Sequence, residues 1–72
     1  MADGVEVSRI LSEAGVTSAR PHWGLAYNLA LASIDPQFGV RAGLTEYFPE
    51  AAAVIRRDYE WREGKFTRKK DD

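Results

Sequence analysis

Few side chains in this sequence have types and spacings that could do chemistry. His22 is the only histidine, and cysteine is absent. A metal site built on one histidine needs further ligands, and the residue four positions on, which would share a helix face with it, is Ala26. We therefore expect His22 to be a surface imidazole, and we predict neither a metal nor a cofactor.

Carboxylates are the remaining candidates for catalysis. Two carboxylates can act as acid and base only inside a cleft, and a domain of a few short helices rarely encloses one. The sequence also has no G-x-S-x-G elbow and no glycine-rich phosphate loop. We therefore expect a protein that is not an enzyme and has no small-molecule substrate. The carboxylates considered are Glu46, Glu50, Asp58, Glu60 and Glu63.

The segment DYEWREGKF, residues 58–66, combines aromatic and charged side chains. Tryptophan, tyrosine and arginine supply much of the binding energy in protein interfaces. The alternative is that Tyr59 and Trp61 only cover the core while the charges form a solvated face. The sequence leaves both open, and the partner-binding residues that it predicts are Arg57, Asp58, Tyr59, Trp61, Arg62 and Phe66.

Two helices are expected in the first half of the chain. Residues 3–15 have an apolar stripe at helical spacing and a glycine, Gly15, suited to the position after a helix end. The second helix should begin at Pro21, because proline is tolerated in a first turn, and run to Ile34. It is apolar on nearly every side, which is typical of a helix that is central or covered by a partner.

The second half is expected to hold one loop and one helix. Residues 35–45 predict a long loop that is pinned to the core by apolar side chains. A third helix should begin at Pro49 and continue to the glycine at 64, with Asp58 and Arg62 paired across one turn. Tyr59 and Trp61 would then lie on different sides of that helix. The expected loop anchors are Phe38, Val40 and Leu44.

The predicted fold is therefore all-α: a small three-helix domain with a long loop before the last helix. We expect one domain over residues 1–66, followed by a charged, frayed tail over residues 67–72. The core of a 72-residue chain is only marginally stable unless a partner chain, a metal or a disulfide supports it. The sequence contains no cysteine, which excludes a disulfide. A protein partner or a homo-oligomer is therefore expected.

Residues 12–19, SEAGVTSA, resemble the turn of helix-turn-helix DNA-binding proteins, in which an A-G-V-S or A-G-V-T run joins the supporting and recognition helices. The resemblance makes Gly15 the turn glycine, Val16 the buried turn residue and Thr17 the cap of the recognition helix. Pro21 departs from the pattern, because it would stand where a helical N–H is wanted. The resemblance implies, as the alternative function, a small DNA-binding regulator. The candidate nucleic-acid contacts are Arg20, His22, Asn28, Arg56 and Lys65.

The net charge and the hydropathy of the sequence argue against further classes of function. The formal net charge is −1, which argues against a general phosphate-binding surface. The most apolar stretch, residues 21–34, is shorter than the roughly 20 residues that cross a bilayer. The first residues carry no basic, apolar leader pattern. We expect a cytoplasmic, non-enzymatic module that binds protein and no membrane, acting as an adaptor, a regulator or an assembly subunit.

Overall fold

The fold is mixed α/β, so the prediction of an all-α three-helix domain is wrong. The structure, a computed structural model, describes residues 2–69, with side chains from residue 4 onward. Within these residues, four helices precede a two-stranded antiparallel hairpin. The elements are α1 (Ala2–Glu13), α2 (Trp23–Ser33), α3 (Ala42–Tyr47), α4 (Pro49–Asp58), β1 (Tyr59–Arg62) and β2 (Lys65–Arg68).

Helix α1 follows the predicted pattern. Val7, Ile10 and Leu11 are buried and form one side of the core. The helix ends where Gly15 takes a left-handed conformation, with φ 78°, and the backbone N–H of Val16 donates to the carbonyl of Leu11 at 2.9 Å. This is the Schellman type of ending, which satisfies a free carbonyl of the last turn and buries the residue after the glycine.

Helix α2 begins two residues later than predicted. His22, with φ 63°, interrupts the helical conformation between Pro21 and Trp23. Ala26, Ala30 and Ser33 form the buried side of α2, which contacts α1, α3 and α4. Because these side chains are small, the other helices can approach the α2 backbone closely.

Part of the expected loop is helical. Residues 42–47 form α3, which buries Leu44 as predicted, whereas Phe38 is 60 % exposed and does not anchor the loop. The buried Ser33 hydroxyl fixes the start of α3: it donates to the Leu29 carbonyl at 2.6 Å and accepts from the backbone N–H of Arg41 at 3.0 Å. A hydrogen bond from α2 to the residue before α3 therefore determines where α3 begins.

The last predicted helix is shorter than expected. Helix α4 starts at Pro49 as predicted, but it ends at Asp58 rather than before Gly64, and the following residues pair as strands. Glu63 and Gly64 both have positive φ, 53° and 81°, which is the conformation of a two-residue type I′ hairpin turn. Aromatic and polar residues alternate in β1, and this period of two places Tyr59 and Trp61 on the same face. The expectation that they lie on different sides is therefore wrong.

The hairpin is bonded to the rest of the chain at both ends. The backbone N–H of Phe66 donates to the carbonyl of Pro36 at 2.8 Å, and that of Lys69 donates to the carbonyl of Asp58 at 2.7 Å. Residues 67 and 68, assigned above to the tail, lie in β2. Residues 70–72 lie outside the described residues.

Candidate functional site

The structure separates the six predicted partner-binding residues into three groups. Tyr59 and Phe66 are buried on the inner face of the hairpin, with ring centroids 5.5 Å apart in a stacked arrangement. Each ring therefore holds the hairpin on the core, and neither is available to a partner in this conformation.

Trp61 is half-covered. Its indole ring lies 5.2 Å from the Phe66 ring, centroid to centroid, and rests directly on the backbone of Gly39. A Cβ atom at Gly39 would stand 2.7 Å from Cζ2 of Trp61, so the contact requires glycine. The other side of the indole remains open, and the residue is 54 % exposed. The exposed Phe38, which precedes Gly39, lies under the Arg41 guanidinium at 5.6 Å. We call Phe38 and Trp61 the aromatic patch.

Arg57 and Asp58 belong to an ion-pair network between α4 and α1. Arg57 donates to both carboxylate oxygens of Asp58, at 2.7 and 2.9 Å, and also bonds Glu13. Arg9 lies 3.1 Å from the Asp58 carboxylate. These guanidinium groups, that of Arg57 first, lower the pKa of Asp58. The predicted pair of Asp58 with Arg62 does not form, because the chain turns into β1 at Tyr59; Arg62 instead bonds Glu60 at 2.9 Å.

Glu6 joins this network to the hairpin. Its carboxylate accepts two hydrogen bonds from Arg9, at 2.8 and 3.0 Å, and one from the Tyr59 hydroxyl at 2.7 Å. Arg68 contributes a longer contact of 3.3 Å. Hydrogen bonding to Arg9, then to Tyr59, outweighs desolvation and lowers the pKa of Glu6 to about 2. Burial, reinforced by the Glu6 carboxylate, raises the pKa of Tyr59. The network is a structural clamp between α1 and the hairpin.

One full side of α2 is exposed and uncharged. Helix α2 contains no charged residue, although 29 % of the chain is charged. Leu25 is 47 % and Leu31 39 % exposed, and the residues between them on this side are exposed as well. We call this side the α2 outer face. Its residues are Gly24, Leu25, Asn28, Leu31 and Ala32.

Two open grooves flank the α2 outer face. The first, of about 450 Å³, lies at the start of the helix, beside Leu25 and the exposed Tyr47 of α3. The second, of about 690 Å³, lies between the end of the helix and β2, and Asn28 and Leu31 contribute to its wall. The exposed leucines of α2 therefore border concave surfaces rather than projecting from a flat one.

The residues predicted to contact nucleic acid are not arranged as in a helix-turn-helix protein. The resemblance implied a recognition helix capped by Thr17, but turns and a bend occupy residues 18–22, and α2 begins only at Trp23. Gly15 and Val16 do occupy the turn glycine and buried turn positions. Arg20 is engaged by Glu50 at 2.7 Å rather than presented to a groove. Of the other candidates, Arg56 bonds Thr45 at 3.1 Å, His22 and Asn28 are exposed, and Lys65 lies on the exposed face of β2.

The carboxylates considered for catalysis are mostly held by arginines. Glu50 is bonded to Arg20, and Glu60 to Arg62, at 2.7 and 2.9 Å respectively. Arg20 lowers the pKa of Glu50, which keeps that carboxylate ionised. Ionised carboxylates paired with arginine are poor general acids. The arginine pairs of Glu50 and Glu60 can hold neighbouring parts of the chain together.

Sequence reasoning missed the α2 outer face as a defined surface, although the signal was present. An uncharged helix with leucines at positions 25 and 31 around an asparagine at 28 indicates a second apolar side. Within residues 2–69, no helix combines the length and the apolar character needed to cross a membrane, and no cluster of three potential metal ligands occurs. No known protein family, curated protein or solved structure matches this chain.

Proposed function

We propose that this protein is a small non-enzymatic protein-interaction module, acting as an adaptor, a regulator or an assembly subunit. The observation that carries the proposal is the α2 outer face, a complete helix side that is exposed and without charge. We place the protein in the cytoplasm, since a cysteine-free chain suits a reducing compartment.

The chemistry of the α2 outer face is that of an interface centre. Cores of protein interfaces are depleted in charge, while the surrounding rim is polar. Leu25 and Leu31 are exposed on α2, and ionic side chains occur only beyond its ends, at Arg20 and Asp35. Burying two leucines that the folded chain leaves partly in water would contribute a hydrophobic gain to binding without the desolvation of a charge.

The aromatic patch is a second candidate contact. The indole of Trp61 is already ordered by Gly39 and Phe66, so a partner that packs on its open side would lose little side-chain entropy in binding. Trp61 is 54 % exposed, and tryptophan is among the residue types that contribute most binding energy when a partner buries them. Arg62, which bonds Glu60 on the outer face of the hairpin, would belong to the polar rim of such a contact.

Site-specific photo-crosslinking in the host cell tests the proposal. A photoreactive phenylalanine at Leu31 should give discrete protein adducts, because α2 would be covered in its complex. The same group at Ala53, an exposed residue of α4, is the matched control and should give none. A third position, Trp61, reports on the aromatic patch.

A specific adduct at Leu31 must also disappear when Leu25→Lys places a charge on the same face. Equal adducts at Leu31 and Ala53, or no adduct at Leu31 and Trp61, would refute the proposed function. For the alternative of DNA binding, a mobility shift at about 50 mM salt is the test, because phosphate contacts are strong there. We expect no shift.

A further inference from the structure

The α2 outer face has a symmetric sequence. Asn28 stands at its centre, Leu25 and Leu31 lie three residues before and after it, and the small residues Gly24 and Ala32 lie four before and after it. At about 100° per residue, the leucines lie roughly 60° on either side of Asn28 and the small residues roughly 40°. Reversing the direction of the helix therefore leaves the pattern of this face unchanged.

A face of this kind fits an inverted copy of itself. A two-fold dimer requires that the same patch on both subunits be self-complementary, with residue i against residue j and j against i. We propose that the protein forms an antiparallel homodimer in which the two α2 helices cross at Asn28. The inference rests on the proposed function, and it names a second copy of this chain as the partner.

Two copies of Asn28 can form hydrogen bonds with each other at the centre of such a pair. Its side-chain amide has both donors and an acceptor, so two copies related by a two-fold axis can bond each other reciprocally. A lone asparagine in an otherwise apolar helix contact fixes register, because any shift leaves the amide unpaired. Gly24 and Ala32 are small enough to let the helix axes approach to the short end of the usual distance, about 8 Å.

The leucines and the small residues are complementary in the same arrangement. In the antiparallel pair, Leu31 of the second copy lies level with Leu25 and packs over Gly24, while Leu25 of the second copy lies level with Leu31 and packs over Ala32. Asp35 follows the C-terminal end of α2, whereas Arg20, which precedes the N-terminal end, is already paired with Glu50. Inversion places the Asp35 carboxylate of each copy near the positive N-terminal end of the other α2, and it places opposite helix-dipole ends beside each other.

The surface area that α2 can offer to a second copy limits the affinity expected for the dimer. A stable interface covers about 800 Å² of each partner, which would be about a sixth of the 4764 Å² accessible surface. Helix α2 has 11 residues and is only about 16 Å long, so its outer face reaches that area only together with the flanking grooves. We therefore expect a dimer with a dissociation constant of order micromolar.

Single-cysteine crosslinking of the purified protein tests the geometry, because the chain has no cysteine of its own. A disulfide needs Cα atoms within about 4 to 7 Å. Asn28→Cys meets its own copy at the crossing point and should form a disulfide-linked dimer in oxidised glutathione. Leu25→Cys alone should be at least about ten times slower, because two such positions lie about 9 Å apart along the axis.

An equal mixture of Leu25→Cys and Leu31→Cys should crosslink between the two variants, and their heterodimer should clearly exceed the half of all dimers that random pairing would give. Ser18→Cys, exposed but outside α2, is the control for random collision and should remain slow. The proposal is overturned if all positions react at the same rate, or if Leu25→Cys and Leu31→Cys each pair best with themselves, as in a parallel dimer. Should Leu31 still give specific adducts to other proteins in cells, the module function would stand while the homodimer would not.

Discussion

The contact between Trp61 and Gly39 gives a sharp test of the hairpin's place in the fold. Gly39 has φ 71°, and a methyl group there would meet the indole of Trp61. Gly39→Ala should therefore destabilise the protein in two ways, through backbone strain and through displacement of the tryptophan. Trp61→Ala removes the second cause only.

The magnitudes follow from the exposed area and the backbone angle. A little under half of Trp61 is covered, which is about 110 Å² of a side chain that buries at most roughly 250 Å². At about 25 cal/mol per Å², reduced for a compact unfolded state, Trp61→Ala should cost about 2 kcal/mol of unfolding free energy. Alanine in the left-handed region costs about 1 kcal/mol. Gly39→Ala should then cost about 2–3 kcal/mol in the wild type and about 1 kcal/mol once Trp61 is alanine.

Urea denaturation followed by far-ultraviolet circular dichroism measures all four proteins of this double-mutant cycle. Gly15→Ala is the matched control, because Gly15 has a similar φ of 78° and nothing within 4 Å of the added methyl group. It should cost about 1 kcal/mol whether or not Trp61 is present. The cycle should give a coupling of about 1–2 kcal/mol between Gly39 and Trp61.

If Gly39→Ala and Trp61→Ala change the free energy of unfolding additively, this placement of the indole is refuted. If Gly39→Ala costs the same with and without Trp61, the ring does not rest on the glycine, and the hairpin does not dock as described. If Gly15→Ala also depends on Trp61, the coupling reflects a general loss of structure rather than a contact.

Three further results are expected. The pKa of Glu6 is lowered from 4.5 to about 2, so the stabilising effect of its carboxylate is complete above pH 4.5 and is lost as the pH falls toward 2. When the free energy of unfolding is measured as the pH is lowered, Glu6→Gln should make its decrease smaller. An unchanged decrease would contradict the clamp. Ser33→Ala should cost about 1–3 kcal/mol in urea denaturation, because it removes the acceptor of the part-buried hydrogen bond from the backbone N–H of Arg41, whereas exposed Ser18→Ala should change little. Glu63→Asn should raise the melting temperature, since asparagine accepts a φ of 53° more readily than glutamate; a lower value would exclude the type I′ turn.

The parts of the fold that the sequence predicted are those set by local periodicity. Helix α1 with its glycine ending, the apolar α2 and the start of α4 at Pro49 all follow from spacing and from end signals within a few residues. The start of α2 was wrong by two residues because His22 adopts a left-handed conformation, which nothing in its side chain requires.

The hairpin was missed because its turn lacks the usual signal. Glu63-Gly64 is not the Asn-Gly or Asp-Gly pair that marks a type I′ turn, and helix-forming residues precede it. The alternation of aromatic and polar residues from Tyr59 to Arg62 was the available sign of a strand. Helix α3 has only six residues and depends on the burial of Leu44, a tertiary effect that short-range patterns do not contain.

For the candidate site, residue type alone could not show which aromatic side chains are exposed to a partner and which belong to the core. Tyr59, Trp61 and Phe66 share one face of the hairpin, but only Tyr59 and Phe66 are buried, whereas one side of the Trp61 indole stays open. That division depends on the strand register and on the position of Gly39. The exposure of the α2 outer face depends likewise on which side of α2 the other helices cover.

Sedimentation equilibrium of the purified protein tests the claim that the α2 outer face is a protein-binding surface that accepts a second copy. The average mass should rise from the monomer value of 8.1 kDa toward about twice that value between roughly 1 µM and 1 mM. Leu31→Lys should hold the protein at the monomer mass over the whole range, while the control Ala53→Lys should behave as the wild type. A wild-type protein that stays monomeric throughout, or a Leu31→Lys variant that associates as well as the wild type, would contradict the claim.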